Sequence, residues 1–466
     1  MAPKFGTSGL RGLVAELTPG LVADHVRAFL AACPQGTGLW IGRDLRPSSP
    51  DLAAAVADAA RGAGVAVTDC GAVPTPALAL AAMGAGAASV MVTGSHIPAD
   101  RNGLKFYTPA GEIAKTDEAA ILAHLGGPVP TGSAPLAACT TAGTGWVARY
   151  VTAFGGQALA GLRIGVWSHS AVSRDLLAEA LRGLGARVVE LGRSDRFIPV
   201  DTEAVAEEFR SRIAAWVGEH GLDALVSTDG DGDRPLLADG AGRIVAGDVL
   251  GQIAAAAVGA DTVVTPVSSN TGAEAGGRFA RVIRTRIGSP FVIAAMEAAV
   301  RATPGARVAG YEANGGFLLG FAAAGPAGPL PPLATRDSLL PLVAALVEAR
   351  GAGGLAARVA REPARFTAAD RLENTAPDAS AALLAGLEDP ARRDALLAGL
   401  GEGWRATDRT DGLRMALASG RVLHLRPSGN APEFRVYAEA ESPGAAADLL
   451  AGALRRIGQA LAGDRG

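Results

Sequence analysis

Lysine is nearly absent from this chain. It occurs at Lys4, Lys105 and Lys115, and arginine supplies the other 40 of the 43 basic residues. A coding bias accounts for the trend. Under such a bias a retained lysine marks a place where arginine would fail, because an ammonium can give up its proton at working pH and a guanidinium cannot. Cysteine is scarce as well: Cys33, Cys70 and Cys139 form an odd set without CxxC spacing. That speaks against a disulfide framework or a structural zinc site and fits a reducing, cytoplasmic setting. A basic excess is missing too, with a net charge of -3 and a pI near 6.1. No nucleic acid or membrane surface is therefore expected as a partner. Gly, Asp or Arg breaks each longer apolar run before it reaches membrane-spanning length. The opening MAPKFGTSGLRG has no apolar core of the kind a signal peptide needs, so none is expected.

Several catalytic signatures are also missing. None of the three lysines follows a glycine, which excludes a Walker A loop. At Ser95 the hydrolase pattern GxSxG fails, since Ile97 stands where its second glycine belongs. No GxGxxG sits cleanly between a strand and a helix. His25, His124, His169, His220 and His424 show no metal-ligand spacing and read as surface or packing residues.

What remains is a well-buried α/β pattern. Of 466 residues, 49% are hydrophobic and 19% charged, which argues against disorder. Short apolar runs at 38–44, 64–71 and 88–95 alternate with Ala/Leu-rich stretches at 51–64 and 75–86, as expected of layers around a largely parallel sheet. The rhythm restarts at 161–192, leading to 223–239, and again at 261–288, leading to 306–320. These stretches read as one α/β unit used three times. From about 355 the chain changes character; strands with turns at 410–442 and a closing helix at 444–463 indicate a smaller α+β unit. Four domains are expected, over 1–140, 141–245, 246–355 and 356–466.

The most specific motif is STDGDGDRP at 227–235. Asp229, Asp231 and Asp233 alternate with glycines on a loop after an apolar run. Three carboxylates this close repel each other unless a cation joins them, and an oxygen-only set suits a hard ion such as Mg2+. A calcium EF-hand needs Gly and Glu at its sixth and twelfth positions, where Arg234 and Gly240 stand here. A solvated acidic turn is the plain alternative. RPSGNAPEFR at 426–435 offers a guanidinium, a hydroxyl and glycine-freed backbone N–H groups at Arg426, Ser428, Gly429 and Asn430, with Arg435 beyond, a set able to wrap a phosphate. A hairpin turn explains that composition equally well. In GYEANGGF at 310–317, Glu312 and Asn314 lie two apart and on an extended segment would face one side, as a pair of sugar hydroxyls requires. FGTSGLRG at 5–12 frames Arg11 with glycines. TGSHIPADRNGLK at 93–105 holds Ser95, His96 and Lys105; taken alone, Ser95 could be a nucleophile, a turn residue or the end of a strand.

Together, and in this order along nearly the whole chain, these motifs resemble the α-D-phosphohexomutase family, whose four recurring loops are a phosphoserine loop, a DGDGDR metal loop, a sugar loop and a phosphate loop. The resemblance implies four domains around a central cleft, the first three similar α/β layers and the last a smaller α+β domain, each giving one loop. It implies phosphorylation of Ser95; Mg2+ held by Asp229, Asp231, Asp233 and the Ser95 phosphate; and Lys105, Arg11 and Arg234 around the moving phosphoryl group. Lys105, its pKa lowered by cationic neighbours, would serve as the base, with His96 orienting or assisting. Glu312 and Asn314, with Arg286 and Ser289, would read the sugar. Arg426, Ser428, Gly429, Asn430 and Arg435 would grip the phosphate that stays. A hexose monophosphate would be the substrate, a hexose 1,6-bisphosphate the intermediate and activator, and the enzyme a monomer or weak dimer.

The chain departs from the family pattern in places. The sugar loop often reads GExSGH in mannose and glucose members, whereas Asn314 and Gly316 stand here for the serine and histidine. Asn430 stands where many members have threonine, and Ser289 where histidine or aspartate is expected. The combination of TGSHIPADRNG with GYEANGG is most similar to bacterial phosphomannomutases. Phosphoglucomutase or dual specificity is the second reading, and phosphoglucosamine mutase a third. A sugar-phosphate binding protein without catalysis, or a phosphatase, are readings of other classes.

Overall fold

The computed structural model describes residues 3–6, 8–129, 131–428 and 433–463. One four-strand pattern recurs three times. In the first unit strands Val67–Ala72, Leu39–Arg43 and Ala88–Val92 are parallel neighbours, and Arg101–Thr108 adds antiparallel beside the last. In the second, Arg187–Leu191, Arg163–Trp167 and Ala224–Thr228 run parallel and Pro235–Asp239 returns antiparallel. In the third, Arg281–Thr285, Thr262–Pro266 and Val308–Tyr311 run parallel and Phe317–Leu319 returns. Strands Ala88–Val92, Ala224–Thr228 and Thr262–Pro266 are buried along their whole length, as parallel strands are when helices cover both faces. This explains why they read as continuous apolar runs and not as alternating ones.

The fourth unit is an antiparallel sheet in the order Phe366–Leu372, Phe434–Ala440, Val422–Pro427, Leu413–Leu417, Trp404–Asp408, backed by helix Pro443–Gly463. Its core, built on residues such as Leu397, Met415, Phe434 and Ile457, is separate from the core shared by the preceding units. The edge strands Phe366–Leu372 and Trp404–Asp408 escape a sequence reading because they are largely exposed and carry little apolar alternation.

In each of the first three units the loop of interest joins the last parallel strand to its antiparallel return. Such loops leave the carboxyl ends of strands, where open α/β sheets bind ligands. The fourth, after Val422–Pro427, also follows a strand. The topology thus explains how the first three segments, far apart in sequence, come to be equivalent.

Candidate active site

Ser95 follows the buried strand Ala88–Val92 and is itself 2% exposed. Its φ of 55° is in the left-handed region, a conformation that costs a non-glycine residue energy and persists only where surroundings enforce it. Arg46 supplies the enforcement. Its buried guanidinium donates to the carbonyls of Ser95 (2.9 Å), Ile97 (2.6 Å), Pro98 (2.7 Å) and Arg101 (3.0 Å). It is paired with Asp44 at 3.1 Å and lies 4.0 Å from the ring centroid of Phe197, in the second unit. The Ser95 hydroxyl, so fixed, donates to Asp229 Oδ2 at 2.6 Å.

The three aspartates are each fully buried, and one carboxylate oxygen from each falls within 4.8 Å of the others. Gly232, at φ 77°, takes a left-handed conformation in the tight turn that allows this convergence. Thr75 Oγ1 donates to Asp231 Oδ2 at 2.6 Å. Lys105 Nζ donates to Asp231 Oδ2 and Asp233 Oδ2, each at 2.6 Å. Oδ1 of Asp231 and Oδ1 of Asp233 are buried without a hydrogen-bond partner. Burial, then the two neighbouring carboxylates, push the Asp229 carboxyl well above its usual range. Burial acts the same way on Asp231, but Lys105 and Thr75 outweigh it and hold that carboxyl well below its usual range. Orphaned buried oxygens and an all-oxygen donor set fit a hard divalent cation.

Two expectations change here. Lys105 was expected among cations, yet its nearest charged partners are carboxylates, because strand Arg101–Thr108 runs antiparallel to Ala88–Val92 and turns Lys105 toward the metal loop. His96 is within 3.4 Å of Ser95 Oγ through Nδ1, but Arg234 NH1 is nearer, at 2.9 Å from the same nitrogen. An arginine can only donate, so Nδ1 accepts and the ring is neutral. Burial and then Arg234 bring its pKa down to about 3. Arg234 also sits 4.0 Å from Asp229 Oδ2 and 3.9 Å from Asp233 Oδ1, while Arg11 donates to the Thr93 carbonyl at 2.6 Å. Both arginines therefore border the Ser95–Asp229 contact.

The sugar loop is not extended as its spacing suggested. Strand Val308–Tyr311 ends before it, and Glu312 N–H donates to Gly316 O at 3.1 Å while Gly315 N–H donates to Glu312 O at 2.9 Å, closing a turn. Asn314 Oδ1 accepts from Gly316 N–H at 3.0 Å, and its carbonyl accepts from Thr202 of the second unit at 2.8 Å. The turn wins over the extended form because Gly315 adopts a φ of 88° and the asparagine amide stabilises the reversal. Glu312 stays buried, paired with Arg336 at 3.1 Å. Ser289 is buried at the start of helix Ser289–Ala302 and donates to Glu112 Oε1 at 3.0 Å; the same carboxylate oxygen accepts from Ser8.

Arg426 and Arg435 are paired across neighbouring strands of the fourth unit. Like charges directly opposite destabilise a sheet; a carboxylate offsets each head, Asp411 at 3.2 Å from Arg426 Nε and Glu433 at 3.5 Å from Arg435 NH2. Ser428 N–H donates to Glu433 O at 2.8 Å; Gly429 and Asn430 lie outside the described residues. Arg286 donates to the Thr410 carbonyl at 3.2 Å. Between the first, third and fourth units a cavity of about 370 Å³ is lined by Phe5, Lys115, Arg286, Phe291, Arg409 and Arg426 among others. The sequence reading missed Arg46, Thr75 and Arg336. For the two arginines the available signal was a charged residue within or shortly after a buried strand, as in GRDLR and LATRD; nothing in the sequence marked Thr75.

A serine hydroxyl bonded to a buried, cation-ready acidic cluster and bordered by arginines suits phosphoryl transfer, the chemistry of the phosphohexomutases. The chain belongs to the phosphoglucomutase/phosphomannomutase family. Models of that family match residues 2–127 as α/β/α domain I, 148–242 as α/β/α domain II and 370–456 as the C-terminal domain. A phosphomannomutase of Sinorhizobium fredii is 45% identical over 99% of this chain and 100% of its own. One of Salmonella muenchen is 42% identical over 97% and 95%. The solved structure of a phosphoglucomutase/phosphomannomutase family protein from Burkholderia thailandensis shares the fold, with a TM-score of 0.77 and 22% identity over 98% of this chain and 97% of that one. Among the described residues no helix is long and apolar enough to cross a membrane.

Proposed function

We propose that this chain is a phosphomannomutase, interconverting mannose 1-phosphate and mannose 6-phosphate through a phosphorylated Ser95 and a hexose 1,6-bisphosphate. The observation that carries the reading is the 2.6 Å bond from Ser95 Oγ to Asp229 in a buried triad with orphaned oxygens. Asp229, Asp231 and Asp233 are the residues proposed to hold Mg2+, together with the Ser95 phosphate. When bound, the ion supplies charge stabilisation to the phosphoryl oxygens. Phosphoryl transfer needs positioning and electrostatics above all, and the chain provides both. Arg46 fixes Ser95, and Arg11 and Arg234 stand ready for the charge that develops on the transferring group.

In the first half-reaction the bond from Ser95 Oγ to phosphorus breaks and one from a sugar hydroxyl oxygen forms. The hydroxyl proton must leave, and the serine oxygen must regain one. Lys105 Nζ is the proposed carrier, since it can exchange a proton and the surrounding guanidiniums cannot. His96 is assigned an orienting role, its Nδ1 facing Arg234. The second half-reaction reverses these steps at the other end of the bisphosphate. Glu312 and Asn314 are assigned to the sugar and Arg286 and Ser289 to its surroundings; Arg426, Ser428, Gly429, Asn430 and Arg435 are assigned to the standing phosphate. The separate core of the fourth unit suits it to accept the two orientations in turn.

The deciding measurement is kcat/KM for mannose 1-phosphate, glucose 1-phosphate and glucosamine 1-phosphate with a catalytic amount of hexose 1,6-bisphosphate. Mannose 1-phosphate should lead. A clear preference for glucosamine 1-phosphate overturns the assignment, and equal use of mannose and glucose substrates changes it to dual specificity. Steady release of inorganic phosphate without need of the bisphosphate would make the protein a phosphatase.

A further inference from the structure

The metal loop and the sugar loop each bury a carboxylate, Asp233 and Glu312, and one side chain spans them. Arg336 lies on strand Leu333–Asp337 and is 3% exposed. Its NH2 is 2.9 Å from Asp233 Oδ2 and its NH1 is 3.1 Å from Glu312 Oε2. The planar guanidinium fork offers one N–H edge to each carboxylate and so fixes the angle between them. The ends of this bridge belong to different units of the chain.

Gly316 is the second part of the device. A Cβ at that position would stand 2.8 Å from Arg336 Cδ and 3.1 Å from Cγ. These are atoms in the middle of the arginine stem, and the head is held at both carboxylates, so the stem has little freedom to yield. Gly316 is not among the glycines with positive φ. Its backbone therefore accepts an alanine, and the obstacle to a side chain there is the packing around it, foremost Arg336.

We propose that Arg336 is a positioning residue that couples Glu312 to Asp233, so that engagement of the sugar is felt at the phosphoryl-transfer end, and that Gly316 is the opening in the sugar loop that admits it. The proposal rests on the reading of Glu312 as the group that accepts the sugar hydroxyls. The glycine that departs from the GExSGH pattern is thereby explained: a larger residue and Arg336 compete for one space.

The test is a double-variant cycle on Gly316→Ala and Arg336→Met, read by KM and kcat for mannose 1-phosphate and by calorimetric binding of the same sugar phosphate, with thermal melting to check the fold. Each single change should raise KM and the dissociation constant about tenfold or more, the scale of a lost charged hydrogen bond, and Arg336→Met should also lower kcat, since it cuts the link to Asp233; a KM effect with kcat unchanged in that variant overturns the coupling. In the Arg336→Met background Gly316→Ala should add little, because the stem it strikes has lost its anchors. Losses that multiply in the double variant overturn the coupling. Should Arg336→Met fail to fold, Gly316→Ala alone decides: unchanged KM and binding overturn the proposal. A wild-type protein that neither binds nor turns over any hexose phosphate overturns the functional reading and this inference together, whereas an active wild type with independent losses overturns only the inference.

Discussion

Ser95 Oγ and Asp229 Oδ2, 134 positions apart in sequence, are 2.6 Å apart in space and joined by a hydrogen bond. The contact ties the loop of the first sheet to the matching loop of the second. It places the hydroxyl on the one aspartate that Lys105 does not pair. Replacing Ser95 with alanine removes the proposed phosphoryl carrier and leaves the buried Asp229 Oδ2 without its donor. Turnover should fall by about 10³-fold or more, the scale of losing a covalent nucleophile, while stability should fall by no more than about 1–3 kcal/mol, the cost of one unsatisfied buried acceptor. Mass spectrometry of tryptic peptides should find phosphate on the Ser95 peptide of active enzyme. Full activity in the alanine variant would remove Ser95 from the reaction.

A divalent ion at the triad should stabilise the fold as well as the reaction. Asp231 and Asp233 each present an oxygen with no partner, and the three carboxylates repel one another. An ion at 100 times its dissociation constant adds about 2.7 kcal/mol. Thermal melting with and without chelator should therefore show a lower midpoint after metal removal, restored by Mg2+ and insensitive to chelator in an Asp231→Asn, Asp233→Asn double variant. A wild-type midpoint indifferent to chelator would argue against the site.

Arg46 should matter to stability and activity alike. Arg46→Met leaves Asp44 buried without its ionic partner and four carbonyls of the Ser95 loop without their donor. Breaking one side of a buried pair costs about 3–5 kcal/mol, and urea denaturation should show a loss of that order. Activity should drop further than stability explains, because Ser95 would relax from its left-handed φ. A folded, fully active variant would show that the loop holds itself.

Two histidines predict an acid-sensitive contribution. Nε2–H of His169 donates to Thr228 O at 2.9 Å and that of His424 to Asp411 O at 2.6 Å, and both Nδ1 atoms are buried without partners. Burial brings both down to about 4, against about 6.5 in an unfolded chain. As pH falls from about 6.5 to about 4 the unfolded state gains protons that the folded state refuses. Their stabilisation is complete above that window and is lost across it, at up to about 1.4 kcal/mol per pH unit for each ring. Asp248, raised to about 6 by burial, works in the opposite sense, so the comparison is between variants. His424→Phe should lose less stability than wild type between pH 6.5 and 4.5, and parallel curves would refute the assignment.

The parts of the site that share a loop were legible in the sequence. DGDGDR announces three carboxylates on a turn whatever surrounds it. Contacts between loops were not legible. The sequence places no constraint on Lys105 that would reveal Asp231 and Asp233 as its partners, because their approach depends on how two sheets pack. Glu312 and Asn314 were misread as an extended pair because a period of two says nothing about whether a strand continues; Gly315 and the Asn314 amide ended it. Arg336 and Arg46 were overlooked because an arginine beside a buried strand reads as a surface residue until its partners are known.

The amino-acid sequence by itself determined the α/β rhythm, its threefold recurrence and the acidic turn of the metal loop, since these depend on local periodicity and on side-chain chemistry. Tertiary structure alone decided the left-handed Ser95, the neutral His96 and the bridge from Asp233 through Arg336 to Glu312. Each of these is an energy of burial, and a group acquires it only when residues distant in sequence close over it and exclude water.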